Sequence, residues 1–535
     1  MAARILALAK RHAPTQLTLS PTNEIPPPRR VARRRLVAAL VAVALAVEPL
    51  APVAIDAGSV YAQSPPAPSQ PAQSLPDLGE ESQASLTPAQ EHKIGEMVVR
   101  QIRASGGYLD DPEVNDYLNE IGHRLVAAIP DARQEFQFFA MADPTVNAFA
   151  LPGGYIGVNT GLILLTQNES ELAAVLAHEI THVTQRHMAR AASKEKNQFL
   201  YMLATLALAV AASRAGSSGG QAASAAIASG QALAIQSQIN FTRENEYEAD
   251  RIGFQRLDAA GFDVTAMATL MDRLQKASRF SDGDAPSYLR SHPVTHERVA
   301  EAQSRAFGKP YRQVTDSPDF QLVRALLRSY TGTPKEAVAY FRGSLAERKF
   351  NSEVAARYGL VASLLRNEEF PQAIEELATL EKMAPPHPMI DAMAGHVLME
   401  SGQLDAAIAR FKSALAKYPN KLQLIYDYPQ ALAKAGRLRE AATFLETELA
   451  RFPQDGPLHR IAARTYSDLG QKQQEHRHQG EFYAWQGDFK EAVRQFELAS
   501  RASDGDFYQT SVVEARLRSL RKELAEQQAA IGKNG

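Results

Sequence analysis

Asn168-Glu169-Ser170-Glu171-Leu172-Ala173-Ala174-Val175-Leu176-Ala177-His178-Glu179-Ile180-Thr181-His182 is the stretch on which the reading of this chain turns. Asn168 or Ser170 can cap the first amides, and Glu171 stands three after Asn168 as a capping box prefers. Leu172, Val175, Leu176 and Val183 recur at helical spacing, so the pattern predicts a helix running to about Arg190. Residues i and i+4 of a helix lie about 5–6 Å apart on one face. His178 and His182 can therefore reach one zinc ion together, while Glu179, one step round, is placed as general base toward the water the ion activates. With 13 histidines in 535 residues, roughly 0.03 such matches would arise by accident.

A site of this kind needs a third ligand from elsewhere in the chain. Arg243-Glu244-Asn245-Glu246-Tyr247-Glu248-Ala249-Asp250 begins 61 residues after His182, with helical character continuing through Ile252, Phe254 and Leu257. Glu246 and Asp250 again stand at i and i+4, so Glu246 can bind zinc while Asp250 orients a ligand histidine from behind. Periodicity alone leaves Glu244 and Glu248 as rivals for the ligand role. His187, five residues after His182, falls off the ligand face and reads as structural.

Outward from this core, helix-like runs cover Glu96 to Gly106 and Val114 to Ile129. Strands are expected at Phe136–Met141, Val146–Leu151 and Tyr155–Asn159, the last two around the turn Pro152-Gly153-Gly154. Phe199 to Ala212 is apolar but shorter than the ~20 residues a membrane span needs, and reads as a buried helix before the Ser/Gly break Ser213 to Gly220.

The last third repeats itself. Pro385, Pro419 and Pro453 are each 34 residues apart, and Gly402-Gln403-Leu404 with Gly436-Arg437-Leu438, and Ala373, Ala407 and Ala441, share that offset. Thirty-four is the tetratricopeptide period. Gly487-Asp488-Phe489 marks a further pair, Gln471 to Gln479 blurs the phase before it, and Pro334 with Ala337 and Phe341 opens the array in a slipped register. Four or five helix pairs are expected, stacked so as to leave a concave binding face.

At the other end, Arg29, Arg30, Arg33, Arg34 and Arg35 precede the apolar run Leu36 to Val47, and Val60-Tyr61-Ala62 offers a small-x-small cleavage site. Basic, apolar and small residues in that order describe a secretory signal peptide. The expected division is 1–62 signal peptide with an N-terminal extension, 63–85 Pro/Ser/Ala/Gln-rich linker, 86–310 metallopeptidase domain and 311–535 repeat domain. The fold class is mainly α: an α+β zincin-type domain with a small β-sheet, followed by an α-solenoid of tetratricopeptide repeats. With 58 basic and 60 acidic side chains the net charge is −2, which gives no global excess for holding a phosphate backbone. Cysteine is absent, which excludes disulfides and thiolate catalysis.

Residues 85 to 530 resemble the gluzincin metalloproteases related to HtpX and the CAAX prenyl proteases, and within them the periplasmic BepA-like proteins with a tetratricopeptide tail. The resemblance rests on His178-Glu179-Ile180-Thr181-His182, Asn147-Ala148-Phe149-Ala150-Leu151-Pro152-Gly153-Gly154, Glu246-Tyr247-Glu248-Ala249-Asp250 and Ser291-His292-Pro293. It implies one zinc ion per chain on His178, His182 and Glu246, with Glu179 as base. It further implies that His292 fills the fourth zinc position at rest and withdraws for substrate, that Arg298 lies near the metal and helps an oxyanion, and that 148–155 forms an edge strand to which an extended peptide pairs. Helical ion pairing is an equally good account of Arg298. The partners so implied are unfolded or misassembled envelope proteins and, through the repeats, an outer-membrane protein assembly complex, in the periplasm, with room for peripheral membrane association. A chaperone or adaptor with a largely auto-inhibited site is the competing expectation.

Overall fold

Capping chemistry sets the first helices. Thr87 and Gln90 form a capping box at the start of α1 (Pro88–Ser105), and the Asp111 carboxylate accepts from two amides at the start of α2 (Pro112–Ala128). The computed structural model describes residues 86–130, 134–194, 243–279, 287–310 and 312–532. The signal-like segment, the linker and the apolar run 199–212 lie outside the described residues.

Strands β1 (Gln137–Met141), β2 (Ala148–Leu151) and β3 (Tyr155–Asn159) form one sheet in the order β1-β3-β2. β3 is parallel to β1, from Gln137↔Tyr155 to Met141↔Asn159, and antiparallel to β2, from Ala148↔Val158 to Leu151↔Tyr155. The hairpin between β2 and β3 turns on Gly153 and Gly154, at φ 80° and 94°. A Cβ at either would strike backbone, of His92 and of Glu135 respectively, so both glycines are required twice over.

After the short α3 (Thr160–Leu165) comes α4 (Glu169–Thr184), every residue of which from Glu169 to Val183 is buried. Asn168 is its cap, accepting from the Glu171 amide at 3.0 Å, while Glu171 receives the Gln167 amide at 2.7 Å and both arms of Arg273 at 2.6 and 2.7 Å. The helix stops at Thr184 rather than Arg190. Arg186 takes a left-handed φ of 50°, and its guanidinium donates to the Leu86 carbonyl and to Glu91. α5 (His187–Lys194) then starts in a new direction.

α6 (Arg243–Ala259) lies against α4 so closely that a Cβ on Gly253 would sit 3.2 Å from the His178 amide nitrogen. α7 (Thr265–Arg279), α8 (Ser287–Ser291) and α9 (His296–Phe307) complete this part.

Twelve further described helices follow: α10 (Pro318–Ser329), α11 (Pro334–Ala346), α12 (Glu353–Arg366), α13 (Phe370–Met383), α14 (Pro388–Glu400), α15 (Leu404–Lys417), α16 (Leu422–Lys434), α17 (Leu438–Arg451), α18 (Gly456–Asp468), α19 (Lys472–Trp485), α20 (Phe489–Arg501) and α21 (Phe507–Gly532). The expectation of four or five pairs undercounts, since α10 already opens the array. The turns inside pairs carry left-handed residues at Gly332, Glu368, Gly402, Gly436 and Gly470, spaced 36, 34, 34 and 34, and then Gly487 only 17 later. α19 is thus the second helix of one pair and the first of the next, which is why the phase blurs at Gln471.

The repeats wrap the peptidase part instead of trailing from it. One apolar core runs from Val114 and Tyr117 through Phe320 and Tyr358 to Val397. Tyr330 and Tyr358 hydroxyls donate to Asp111 and Glu113 on α2, and Arg460 pairs with Asp110 at 3.1 Å. The described residues form a single compact unit. No helix of the described residues is long and apolar enough to cross a membrane.

Candidate metal centre

α4, α6 and the segment after α8 bring four side chains together. One donor atom each from His178, His182, Glu246 and His292 lies within 4.8 Å of all the others, and all four residues are buried. His178 and His182 approach through their Nε2 atoms at 2.9 Å; His292 Nδ1 stands 3.3 Å from His178 Nε2 and 3.0 Å from Glu246 Oε1. Of the acids in the Glu244 to Glu248 run, Glu246 is the one that enters this group.

Two further layers hold the imidazoles. His178 Nδ1–H donates to Asp250 Oδ1 at 3.0 Å, which turns Nε2 inward. Asp250 is gripped by Arg298 through Nε at 2.6 Å and Nη2 at 2.9 Å, and Arg298 Nη1 reaches Glu246 Oε2 at 2.8 Å and the Pro293 carbonyl at 2.8 Å. The whole fork of Arg298 is therefore committed behind the ligands. On the other side His182 Nδ1 meets His187 Nδ1 at 2.8 Å, His187 Nε2 reaches Glu248 Oε2 at 3.1 Å, and Arg190 holds the same oxygen at 2.7 Å. His187 is fully buried behind His182, a placement the spacing of five concealed because the chain breaks helical geometry at Arg186. Only that break, not readable from the helical period, could have brought it forward.

The charges respond to this packing. Burial alone would raise the carboxyl groups of Glu246 and Asp250, yet the facing histidines and Arg298 outweigh it and hold both below the usual carboxylate range. Burial, together with the nearby His178, pushes the His182 imidazole well down. Burial holds His187 down to about 4.

Glu179 is wholly buried, and neither carboxylate oxygen has a hydrogen-bond donor; Oε1 faces His292 Nε2 at 3.5 Å. Removing a carboxylate from water without a partner is costly, so this orphaned group, beside three imidazoles and a carboxylate, fits a divalent metal and the water such an ion holds. Two histidines, a glutamate and a third histidine as fourth donor suit zinc. β2, the sheet edge expected to take a peptide, is buried along its four residues, and just before it the Val146 carbonyl accepts from the Tyr288 amide of α8 at 3.1 Å.

Comparison with known proteins agrees with this geometry. Residues 112–306 match the model of Peptidase family M48, and residues 398–465 match a tetratricopeptide repeat model. The chain is 31% identical over 471 residues to the beta-barrel assembly-enhancing protease of Escherichia coli, covering 87% of this chain and 95% of that protein. It is 30% identical over 458 residues to the Yersinia pestis protein of the same name, covering 84% and 93%. A mitochondrial metalloendopeptidase, OMA1 of Schizosaccharomyces pombe, is 33% identical over 183 residues, 34% of this chain and 50% of that protein. The chain belongs to the beta-barrel assembly-enhancing protease family, and is a zinc-dependent metalloendopeptidase with tetratricopeptide repeats.

Proposed function

We propose that the chain hydrolyses peptide bonds in misfolded or misassembled outer-membrane proteins in the periplasm, delivered there by residues 1–62 acting as a cleaved signal peptide. The domain division is proposed as 63–85 linker, 86–310 peptidase and 311–535 repeats. In this reading His178, His182 and Glu246 hold zinc, Asp250 and Arg298 position them, and the repeats recruit clients or an assembly complex. The name shared by the relatives supports the envelope setting.

The observation that carries the reading is the buried Glu179 carboxylate with no donor of its own. Zinc, when bound, supplies a Lewis acid and an acidified water. Glu179 takes the proton of the attacking water and returns it to the leaving amine. Arg298, its fork already spent, positions ligands rather than meeting the oxyanion. His292 Nδ1, 3.0 Å from Glu246 Oε1, would fill the fourth position at rest, and the Tyr288 amide on Val146 ties its segment to the edge where an extended substrate would pair.

That occupancy favours one second reading, a chaperone or adaptor whose peptidase is mostly closed. The test is cleavage of casein by residues 63–535 with zinc present. Loss of cleavage in Glu179→Gln and a gain in His292→Ala support the peptidase and its plug. No cleavage by parent or either variant, with zinc bound, would favour the adaptor.

A further inference from the structure

Between α3, α10, α11 and α12 and the turn after α11 lies a cleft of about 340 Å³, lined by none of the metal-centre residues. Arg324 and Arg328, one turn apart on α10, both line it. Arg324 Nη2 donates to the Leu164 carbonyl at 3.1 Å, and its buried Nε has no partner. Its guanidinium lies 5.2 Å from the Phe320 ring, and that of Arg328 lies 4.2 Å from the Tyr340 ring. Among the described residues no carboxylate comes within ion-pair distance of either arginine, unlike Arg357, Arg410 and Arg516 of the repeats; Asp316, which also lines the cleft, acts on Arg324 only from farther off. Tyr340, 47% exposed, and Lys349 border the same space.

Two guanidiniums that line one cleft beside aromatic rings, neither of them in an ion pair, suit a planar, bidentate acceptor. A partly buried cation whose nearest carboxylate, Asp316, stands outside ion-pair distance recovers only part of its desolvation cost. Burial accordingly holds Arg324 below its ordinary value. An exposed aromatic ring at the rim suits a side chain of the same ligand.

We infer that this cleft binds a carboxylate of an extended polypeptide through Arg324 and Arg328, and so is a second client-anchoring site at the start of the repeats. It rests on the proposed reading only in taking the ligand to be a polypeptide. The carboxylate comes either from the chain terminus or from an Asp or Glu side chain.

The experiment uses the full chain carrying Glu179→Gln, so that nothing is cleaved, and fluorescence anisotropy of labelled ten-residue peptides. One peptide has a free C-terminal acid and no Asp or Glu, a second is amidated with two internal Glu, and a third is amidated and neutral. Tighter binding of the first assigns the site to chain ends, and of the second to side chains. Either preference must fall at least tenfold in Arg328→Glu, with Arg324→Gln as a second variant and thermal melts to verify folding. Equal binding of all three, no effect of Arg328→Glu in a folded protein, or displacement by inorganic phosphate with no peptide preference would overturn the inference. A parent that prefers a carboxylate yet never cleaves casein sinks the peptidase reading and leaves this site standing; one that cleaves without the preference does the reverse.

Discussion

His187 Nδ1 lies 2.8 Å from His182 Nδ1, so the nitrogen of His182 opposite the metal centre is held by another histidine rather than by a carboxylate. For His182 to offer Nε2 to a metal, Nδ1 must carry its proton and donate to His187, whose own Nε2–H then donates to Glu248. Replacing such a supporting group typically costs 10–100-fold in metal affinity. His187→Ala should weaken zinc binding by about that factor in competition with a chelator, whereas Glu248→Gln, at the half-exposed end of the chain, should cost less. Unchanged affinity in His187→Ala would show that packing alone orients His182.

Arg298 neutralises two buried carboxylates at once. Removing one partner of a buried ion pair costs about 3–5 kcal/mol. Arg298→Met should destabilise the zinc-free protein by about that amount in denaturant unfolding, with Arg298→Lys intermediate because it cannot span both acids.

Within the repeats, Gly395 faces the Phe411 ring so tightly that a Cβ would collide with it, while a Cβ at Gly343 meets nothing within 4 Å. Gly395→Ala should destabilise by about 1–3 kcal/mol, and Gly343→Ala should stabilise by about 0.5–1 kcal/mol by raising helix propensity. Thermal melts of the pair separate close packing from propensity at fixed chemistry.

Acid sensitivity should also appear in the repeats. His459 Nε2–H donates to the Pro453 carbonyl at 3.1 Å and its Nδ1 faces His478 Nδ1 at 2.9 Å; burial, then His478, hold the imidazole down at about 4. Glu481 and Arg477 add opposing, smaller influences. Unfolded histidine titrates near 6.5, so between about 6.5 and 4 the unfolded chain binds a proton that the folded one refuses. Stability is therefore full above that window and falls as pH drops through it. His459→Gln should flatten the fall in melting temperature between pH 7.5 and 5, and an equal fall in both proteins would assign it to other groups.

The sequence made the motif helix, the three strands and the 34-residue period legible because each is a local periodicity with its own punctuation. His178, His182 and Glu246 were nameable for the same reason, with the choice among Glu244, Glu246 and Glu248 resting on family resemblance. Hidden were features that depend on a single backbone reversal or on distant packing. The left-handed Arg186 sends His187 under His182, α2 is clasped by Tyr330 and Tyr358 from the repeats, and α10 opens the array without a 34-residue partner upstream. None of these leaves a period to count.

The 17 residues between Gly470 and Gly487 are one helix and its turn rather than a pair. Upstream of that step, Tyr330, Tyr358 and Arg460 each meet a carboxylate within Asp110, Asp111 and Glu113. Inserting or deleting a 34-residue unit between Tyr358 and Arg460 would carry Arg460 away from its partner, so the array is held to its length by the surface it wraps.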